Sequence, residues 1–431
     1  MTDKEYRLTK SKVFCMSPWI SLNNSPNGDI LPCCIYRNKP FGNLHNNTME
    51  EIWNNDDFKK FRRNMLNDIP DEGCNRCYKY EEWGTKSTRN HLTEGYGDLY
   101  DTLMSKTQED GGITDVNLFR WDFRFNNLCN LACVGCSPEF STPWIDLQQK
   151  MYPGVKPFKV YNSFSNREKF LNTLKTQSQV VKEIYFAGGE PLIQPEHYEI
   201  LKEIDSLNRF EEVLFSYSTN LTKLSYKKNN VLDYWKKMKR IKALVSIDEV
   251  NFDKLFYMRH PASLDDIYTN LKLINQVLNS EEKSWSVTPA WSILNLHRIK
   301  DIIEYFHKNN LLPYSFYVSI SWEIDIHNIV LMQPSHLSIS NASKEWKEYL
   351  NNHLTEYQEW YHDVLIPLKQ QKYRNSASIL IKKDVEKFRN CISEDPKPVE
   401  ITFNDWVRRL DGARGTDFKK TFPELEWCLN F

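Results

Sequence analysis

The sequence has no long hydrophobic run, no excess charge of one sign and no internal repeat. Its longest apolar stretches are a few residues, far short of the ~20 that a helix needs to cross a bilayer. Its charged first residues, MTDKEYRLTKSK, differ from the apolar core of a signal peptide. A formal net charge of -1 gives no general attraction to duplex nucleic acid. These absences predict a cytoplasmic protein with neither a membrane nor duplex nucleic acid as a partner.

The sequence has no pair of histidines at the spacing typical of a metal site on a helix. The ten histidines of the 431 residues are scattered, and no two are spaced as HxxxH. The ten cysteines, by contrast, are clustered, with eight between residues 15 and 136. Clustered thiols in a reducing compartment bind metal more often than they form disulfides. The two isolated ones, Cys391 and Cys428, are interpreted as buried hydrophobic side chains.

Three of the clustered cysteines share the loop FNNLCNLACVGCSPEF, residues 125–140. Cys129, Cys133 and Cys136 are separated by three and then two residues, and no histidine lies within 30 residues on either side. Three thiolates are one ligand short of a structural zinc site. If they bind a 4Fe-4S cluster instead, one iron stays open to another ligand, which is typical of a catalytic centre.

Six apolar segments alternate with helical patterns and predict parallel strands joined by helices. Large apolar side chains lie on one face of these strands, and small or polar ones on the other. This pattern predicts an α/β fold, a curved partial (β/α)6 TIM-type barrel with a polar inner face; an ordinary sheet with one solvated face is the alternative. The predicted strands are 117–125, 183–187, 212–220, 243–248, 285–293 and 316–323.

The chain divides into four predicted parts. A small cysteine-rich module occupies residues 1–95, a linker 96–116, the barrel 117–325 and a mainly helical C-terminal extension 326–431.

The inner face of the predicted barrel supplies the candidates for substrate contacts. Two arginines there could bind a carboxylate or phosphate, or could pair with the neighbouring Asp122. We interpret Asp122, Tyr317 and Glu323 as candidate catalytic residues on the substrate side. The full inner-face set is Arg120, Asp122, Arg124, Thr288, Tyr317, Ser319, Ser321 and Glu323.

Three further segments follow predicted strands. AGGEP follows the second strand, YSTN ends the third, and VSID followed by YMRHP belongs to the fourth. Together with the cysteine loop, and in this order, they resemble the radical S-adenosylmethionine (SAM) enzymes. In that family three such cysteines hold a 4Fe-4S cluster whose open iron binds the amino and carboxylate groups of SAM.

The resemblance implies a SAM site. Its implied residues are Gly188, Gly189, Glu190 and Pro191 for the SAM amino group, Ser218, Thr219 and Asn220 near the ribose and methionyl group, Ser246 and Arg259 for the carboxylate, and Asp248 for the ribose or the substrate. One departure concerns adenine: Gly135 stands where many members carry a large side chain. We expect Ile293 or Leu294 to pack on adenine instead.

The remaining cysteines indicate a second metal site. Cys15 and Cys33, with the CxxC pair Cys74 and Cys77, can form a closed site of four thiolates, and either zinc or a 4Fe-4S cluster fits the spacing. Cys34 could replace Cys33. The pattern resembles the auxiliary-cluster twitch module, the short relative of the SPASM domain, here placed before the barrel. A fully ligated cluster would serve electron transfer.

The resemblance implies a radical SAM enzyme that removes a hydrogen atom from a polar substrate, with oxidation, epimerisation or rearrangement as the outcome. The expected partners are an external one-electron donor of flavodoxin or ferredoxin type and a small polar molecule, nucleotide or peptide. No leader-binding module is evident, which favours a small substrate over a peptide whose side chains are crosslinked or oxidised. A zinc-stabilised binding protein on a degenerate barrel is the alternative from another class.

Overall fold

The computed structural model describes residues 1–82, 84, 86–318, 330, 331, 333–396 and 398–430. The strands of these residues are β1 (Ser21–Asn24), β2 (Asp29–Leu31), β3 (Gly42–Asn43), β4 (Arg120–Phe123), β5 (Ala132–Cys133), β6 (Glu183–Phe186), β7 (Leu214–Thr219), β8 (Ser225–Tyr226), β9 (Asn229–Asn230), β10 (Arg240–Val245), β11 (Arg259–His260) and β12 (Lys283–Val287).

The α-helices of the same residues are α1 (Asp3–Thr9), α2 (Ser17–Ile20), α3 (Met49–Trp53), α4 (Asp56–Leu66), α5 (Asn75–Glu82), α6 (Thr88–Tyr96), α7 (Tyr100–Met104), α8 (Pro143–Met151), α9 (Arg167–Gln177), α10 (Pro195–Ser206), α11 (Val231–Lys237), α12 (Phe252–Met258), α13 (Leu264–Val277), α14 (Ile299–Lys308), α15 (Tyr314–Val318), α16 (Lys344–Trp360), α17 (Gln371–Ser393), α18 (Phe403–Arg414) and α19 (Phe418–Thr421). None of the described helices is long and apolar enough to span a membrane.

The chain forms two compact units. The first contains residues 1–127, 160–216 and 238–240, and the second contains 128–159, 217–237 and 241–431.

The first unit is built on a mixed sheet. The strand order is β6-β4-β1-β2-β3, with β1 and β6 parallel to β4 on either side and β2 and β3 added as antiparallel strands. The start of β7 adjoins β6, since the Leu214 amide donates to the Lys182 carbonyl at 2.9 Å. β1 comes from the N-terminal module, and sequence analysis did not predict that this module extends the sheet.

Alternation along β4 explains how this sheet is covered. Trp121 and Phe123 are buried on one face, with ring centroids 5.7 Å apart, whereas Asp122 lies on the opposite face. The apolar side chains of α9 and α10, among them Phe170 and Leu201, are also buried. The apolar face of the sheet is therefore packed, and its polar face carries the charged residues.

The second unit contains the parallel pair β10 and β12, in register from Ile241 opposite Lys283 to Val245 opposite Val287. The end of β7 adjoins the end of β10, because the Ser246 amide donates to the Thr219 carbonyl at 2.9 Å. Helices α13 and α14 each bury one apolar side. The C-terminal region is helical, as predicted, through α16, α17, α18 and α19.

The predicted α/β class with parallel strands is confirmed. Five of the six predicted strands are present with altered ends, as β4, β6, β7, β10 and β12. The sixth prediction, 316–323, is wrong for residues 316–318, which belong to helix α15, and its other residues lie outside the described ones. Short β-branched and aromatic runs do not distinguish strand from helix without their neighbours. The three boundaries between the four predicted parts stay a prediction.

Candidate functional site

The cysteine loop of the second unit is held by a short antiparallel pairing. Strand β5 pairs with β11, so that Cys133 lies opposite Arg259 and Ala132 opposite His260. The Val134 amide also donates to the Met258 carbonyl at 2.8 Å. Two motifs predicted separately from the sequence, the cysteine loop and YMRHP, are therefore joined by backbone hydrogen bonds.

Side chains just after the loop donate hydrogen bonds to its backbone carbonyls. The Trp144 indole Nε1 donates to the Cys133 carbonyl at 2.8 Å, and the Ser141 hydroxyl donates to the Leu131 carbonyl at 2.6 Å. The Thr142 hydroxyl donates to the Cys129 carbonyl at 3.2 Å. These bonds satisfy backbone groups that a sharply turning loop leaves unpaired, and they fix the backbone that carries the thiols.

The thiols of this loop are in an environment that requires a cation for their ionisation. Burial raises the pKa of Cys133, although Arg259 opposes that effect, and burial together with Cys133 raises the pKa of Cys136 to about 12. Buried thiolates close to one another repel, and bound iron supplies the compensating positive charge. Three soft sulfur donors on one constrained loop therefore fit a 4Fe-4S cluster.

Arg259 lies beside this loop and is fixed by Asp248. Its Nε is 2.8 Å from Asp248 Oδ2, Nη2 donates to Oδ1 at 3.1 Å, and Nη1 is 3.7 Å from Cys133 Sγ. Asp248 Oδ1 also accepts from the Ala290 amide at 2.6 Å. Burial lowers the pKa of Arg259, but Asp248 and Cys133 outweigh burial, so the pKa is raised and the guanidinium stays charged.

Asn220 connects the end of β7 to the loop. Its Nδ2 donates to Asn130 Oδ1 at 3.0 Å and is 4.0 Å from Cys129 Sγ, and its Oδ1 accepts from the Thr222 hydroxyl at 2.7 Å. Thr219 Oγ1 accepts from the Leu221 amide at 3.0 Å. Ser218 and Ser246 are half-buried at the ends of their strands.

The GGEP segment belongs to the first unit and begins with two glycines in left-handed conformations, φ +80° at Gly188 and +59° at Gly189. A Cβ at Gly188 would lie 2.7 Å from the Cβ of Arg124, so only glycine fits there. Glu190 is buried, and its carboxylate accepts from the Leu192 amide at 3.1 Å. Pro191 starts a 3₁₀ turn.

Charged residues of alternating sign lie along the polar face of the first unit's sheet. Asp122 is buried between two arginines, each 3.4 Å away, Arg120 Nη1 on one side and Arg124 Nη2 on the other. Arg120 also reaches Glu183 at 3.3 Å. The sequence left two possibilities for these arginines: binding an anion, or pairing with Asp122. Arg120 has two carboxylate partners, Asp122 and Glu183, whereas Arg124 shares Asp122 with it.

Four cysteines of the first unit line one cavity with about 430 Å³ of space. Burial raises the pKa of all four thiols, that of Cys15 to about 12, and Cys33 is affected by each of the other three. The rest of the lining is mostly apolar, apart from Arg89. The cavity cysteines are Cys15, Cys33, Cys74 and Cys77. Four thiols facing one mostly apolar cavity, with Cys15 and Cys77 buried and Cys33 and Cys74 half-buried, fit a fully ligated iron-sulfur cluster.

Cys34 does not line this cavity. Burial and Asp122 raise the pKa of its thiol to about 11, with Asp122 accepting its hydrogen bond and with Arg124 and Arg120 opposing the rise. The thiol of Cys34 therefore lies among the charged residues of the sheet. The structure thus separates the two adjacent cysteines, which sequence analysis could not do.

The last residues predicted on the inner face of the barrel are only partly described by the structure. Tyr317 is on helix α15 and 37% exposed, and burial raises its pKa. Glu323, Ser319 and Ser321 lie outside the described residues. The Thr288 amide donates to the Val245 carbonyl at 2.8 Å.

The neighbourhood of Gly135 was not predicted. A Cβ at Gly135 would lie 2.9 Å from the side chain of Leu331, so Leu331 packs against this glycine. Ile293 and Leu294, expected at the adenine, are buried. No sequence motif marks Leu331, since it is about 200 residues from the loop and only chain folding brings it there.

Among the described residues, no three Cys, His, Asp or Glu side chains converge closely enough to share one metal ion. A 4Fe-4S cubane binds each cysteine through a different iron, so this finding bears on a mononuclear zinc site and not on a cluster.

Comparison with protein families agrees with this geometry. The radical SAM superfamily model matches residues 123–306, and the SPASM model, an iron-sulfur cluster-binding domain, matches residues 15–78. The chain therefore contains a radical SAM domain, and a SPASM-type iron-sulfur module precedes that domain. The predicted cofactors are thereby confirmed: a 4Fe-4S cluster and SAM for the barrel, and a further iron-sulfur cluster for the module. The zinc alternative finds no support.

Two solved structures are similar to parts of this chain at low sequence identity. The enzyme anSMEcpe with bound AdoMet is 13% identical over 55% of this chain and 59% of that chain, with a TM-score of 0.35. SuiB of Streptococcus suis bound to S-adenosylmethionine is 14% identical over 59% of this chain and 54% of that chain, with a TM-score of 0.33. The chain thus spans less than two thirds of these proteins. No curated protein sequence matches it.

Proposed function

We propose that this chain is a radical SAM enzyme that removes a hydrogen atom from a polar substrate carrying a carboxylate or another anionic group, and oxidises, epimerises or rearranges it. The observation that carries the proposal is the pairing of β5 with β11. It sets the three-cysteine loop directly beside the buried, charged Arg259.

When bound, the cluster and SAM supply one-electron cleavage of the sulfonium to a 5'-deoxyadenosyl radical, which takes the hydrogen atom. Cys129, Cys133 and Cys136 would hold the cluster. Arg259 would bind the SAM carboxylate, with Asp248 keeping the guanidinium oriented through two contacts, at 2.8 and 3.1 Å.

Further residues would bind the rest of SAM. Asn220 and Ser246, at the ends of β7 and β10, offer hydrogen-bond donors and acceptors for its polar groups. In the GGEP segment, Glu190 would pair with the amino group, and the two left-handed glycines would present backbone carbonyls at close range.

Arg124 would bind the substrate anion. Its only charged partner among the described residues is Asp122, at 3.4 Å, a long contact that Arg120 also shares. Arg124 adjoins Gly188, the first glycine of the segment that the resemblance assigns to the SAM amino group. Asp122 would orient Arg124 while accepting a hydrogen bond from the Cys34 thiol.

The cavity of Cys15, Cys33, Cys74 and Cys77 would hold the auxiliary cluster. With four protein ligands no iron is open to substrate, so its function would be electron transfer. Arg89 lies in the lining; its guanidinium donates to the Phe14 carbonyl at 2.7 Å and pairs with Glu81, which places a fixed ion pair beside the cluster. The external donor would be a flavodoxin or ferredoxin.

Anaerobic reconstitution with iron and sulfide, followed by dithionite and SAM, tests the reaction class. We expect 5'-deoxyadenosine by mass spectrometry from the wild type and none from Cys129→Ala/Cys133→Ala/Cys136→Ala. Arg124→Gln should cleave SAM without substrate as the wild type does, because Arg124 is assigned to the substrate. Absence of 5'-deoxyadenosine from a fully loaded wild-type protein would overturn the proposal. Fractions of acidic metabolites and of peptides, added separately, identify the substrate class by the coupled product.

A further inference from the structure

A residue of the C-terminal extension contacts the cysteine loop directly. Arg414 is the last residue of α18 and lies beyond residues 123–306, the part of the chain matched to the radical SAM superfamily. Nothing in the cysteine, GGEP or strand-end motifs marks it. It belongs to the same compact unit as the loop.

The Arg414 guanidinium joins the two paired segments of the site. Its Nη1 donates to the Tyr257 carbonyl at 2.8 Å, and its Nη2 donates to the Ala132 carbonyl. Ala132 precedes Cys133 in β5, and Tyr257 lies two residues before Arg259. One planar side chain therefore bonds to both the cluster loop and the segment that carries Arg259.

Arg414 also contacts Trp144, the residue whose indole donates a hydrogen bond to the Cys133 carbonyl. Its guanidinium carbon is 5.4 Å from the centroid of the Trp144 ring, and the Trp144 indole donates to the Cys133 carbonyl at 2.8 Å. This cation-π contact orients the indole. Arg414 thus supports three of the backbone positions around Cys133, directly or through Trp144.

The end of α18 is built to hold Arg414 in place. Gly415 adopts φ +70° and its amide donates to the Asp411 carbonyl at 2.7 Å, which ends the helix directly after Arg414. The Asp411 carboxylate accepts from the Phe418 amide at 2.8 Å and from the Thr416 hydroxyl at 2.7 Å. Leu410, one turn earlier, is fully buried. The helix end cannot shift without breaking these contacts.

Arg414 carries its charge into a buried position. Burial lowers its pKa to about 10, so it remains protonated at neutral pH. Arg259 Nη1 is 3.7 Å from Cys133 Sγ, and Arg414 bonds to the carbonyl of the preceding residue, Ala132, so two guanidinium groups lie around Cys133. Positive charge near a cluster stabilises the reduced form, which has one electron more, and so raises the reduction potential.

We propose that Arg414 is a positioning residue for the SAM-binding cluster: it locks β5 against the segment carrying Arg259 and raises the reduction potential of the cluster with its charge. The inference rests on the proposed function, since it assigns the cluster to the loop of Cys129, Cys133 and Cys136.

The test compares three variants of α18 by EPR-monitored redox titration and by the rate of iron loss to a chelator. Arg414→Gln removes the charge and one donor group, and Arg414→Lys keeps the charge but cannot reach both carbonyls. The matched control is Arg408→Gln, on the same helix, where Arg408 is exposed and pairs with Asp405. The cluster signal is identified by its change on adding SAM.

We expect Arg414→Gln to shift the midpoint potential of that signal to more negative values and to lose iron about tenfold faster, the change that one charged hydrogen bond produces. Arg414→Lys should keep a potential near the wild type and lose iron faster than it. Arg408→Gln should match the wild type in both.

An Arg414→Gln protein with wild-type potential and iron loss would overturn the inference. If that variant does not fold, Arg414→Lys decides: wild-type iron loss overturns the inference and faster loss supports it. A wild-type protein whose signals all ignore SAM would instead overturn the proposed function, and Arg408→Gln would show the same result.

Discussion

Two adjacent cysteines with different surroundings illustrate how much depends on single side chains. Cys33 lines the cavity with Cys15, Cys74 and Cys77, whereas the Cys34 thiol bonds to Asp122 on the polar face of the sheet. The two cysteines lie in a bend and turn just after β2, where adjacent side chains diverge, so one neighbour faces the proposed cluster and the other the candidate substrate residues.

Replacing these cysteines one at a time gives a direct test. Cys33→Ser should reduce the iron content from about eight to about four per chain, because the auxiliary cluster loses a ligand. Cys34→Ser should retain about eight irons and serves as the matched control. Iron and sulfide analysis after anaerobic reconstitution measures both. The reverse order of the two variants would show that Cys34 is the ligand.

Among the secondary-structure elements, α18 contacts the cysteine loop, and the sequence of this helix did not predict that contact. Its N-terminus is capped by the Thr402 hydroxyl, which accepts from the Asp405 amide at 3.2 Å, and it buries Trp406 and Leu410. Such features predict a packed amphipathic helix and nothing more. Only the position of its last residue connects the helix to the cysteine loop.

The packing of α18 against His336 predicts a pH dependence. The His336 ring lies 4.8 Å from the Trp406 ring, and its Nε2 has no hydrogen-bond partner among the described residues. Burial lowers the pKa of His336 from 6.5 to about 4. Between these values the unfolded chain binds a proton that the folded chain does not, so stability falls as the pH falls from 6.5 to 4.

We therefore expect His336→Phe to lose less thermal stability than the wild type when the pH is lowered from about 7.5 to about 5.5, since it removes this titration and keeps the ring. Melting temperatures at the two pH values measure the difference. The exposed His362→Gln should behave as the wild type. Equal losses in His336→Phe and the wild type would show that His336 is protonated without cost.

In the complete molecule, the two proposed sets of cysteine ligands belong to different compact units. The cavity of four cysteines lies in residues 1–127, the first segment of one unit, and the three-cysteine loop lies in residues 128–159, the start of a segment of the other. The ligands proposed for each cluster therefore come from a single unit, and we expect each cluster to form when the other is absent.

This independence is testable with Cys129→Ala/Cys133→Ala/Cys136→Ala. We expect its iron content to fall from about eight to about four, with the remaining cluster still reduced by dithionite but insensitive to SAM. Iron analysis and EPR spectra with and without SAM measure both properties. Loss of all iron from this variant would mean that the auxiliary cluster depends on the SAM-binding cluster.

Much of the fold and site was predictable because it depends on local pattern. Alternating side chains along β4, β7 and β10 predicted the strands, and the spacing of Cys129, Cys133 and Cys136 predicted the cluster, since both are properties of neighbouring residues. The strand predicted at 316–323 was wrong for residues 316–318 because a short aromatic run suits either a strand or a helix.

The sequence was sufficient for the class of chemistry, since motif spacing places three thiols on one turn of chain and glycines where backbone must come close to a ligand. It was not sufficient for the parallel pairing of β1 with β4, the separation of Cys33 from Cys34, or the contact of Arg414 with the cysteine loop. These join residues about 100 to 280 positions apart or depend on the direction of one side chain. Such relations arise from packing of the folded chain, which no local pattern encodes.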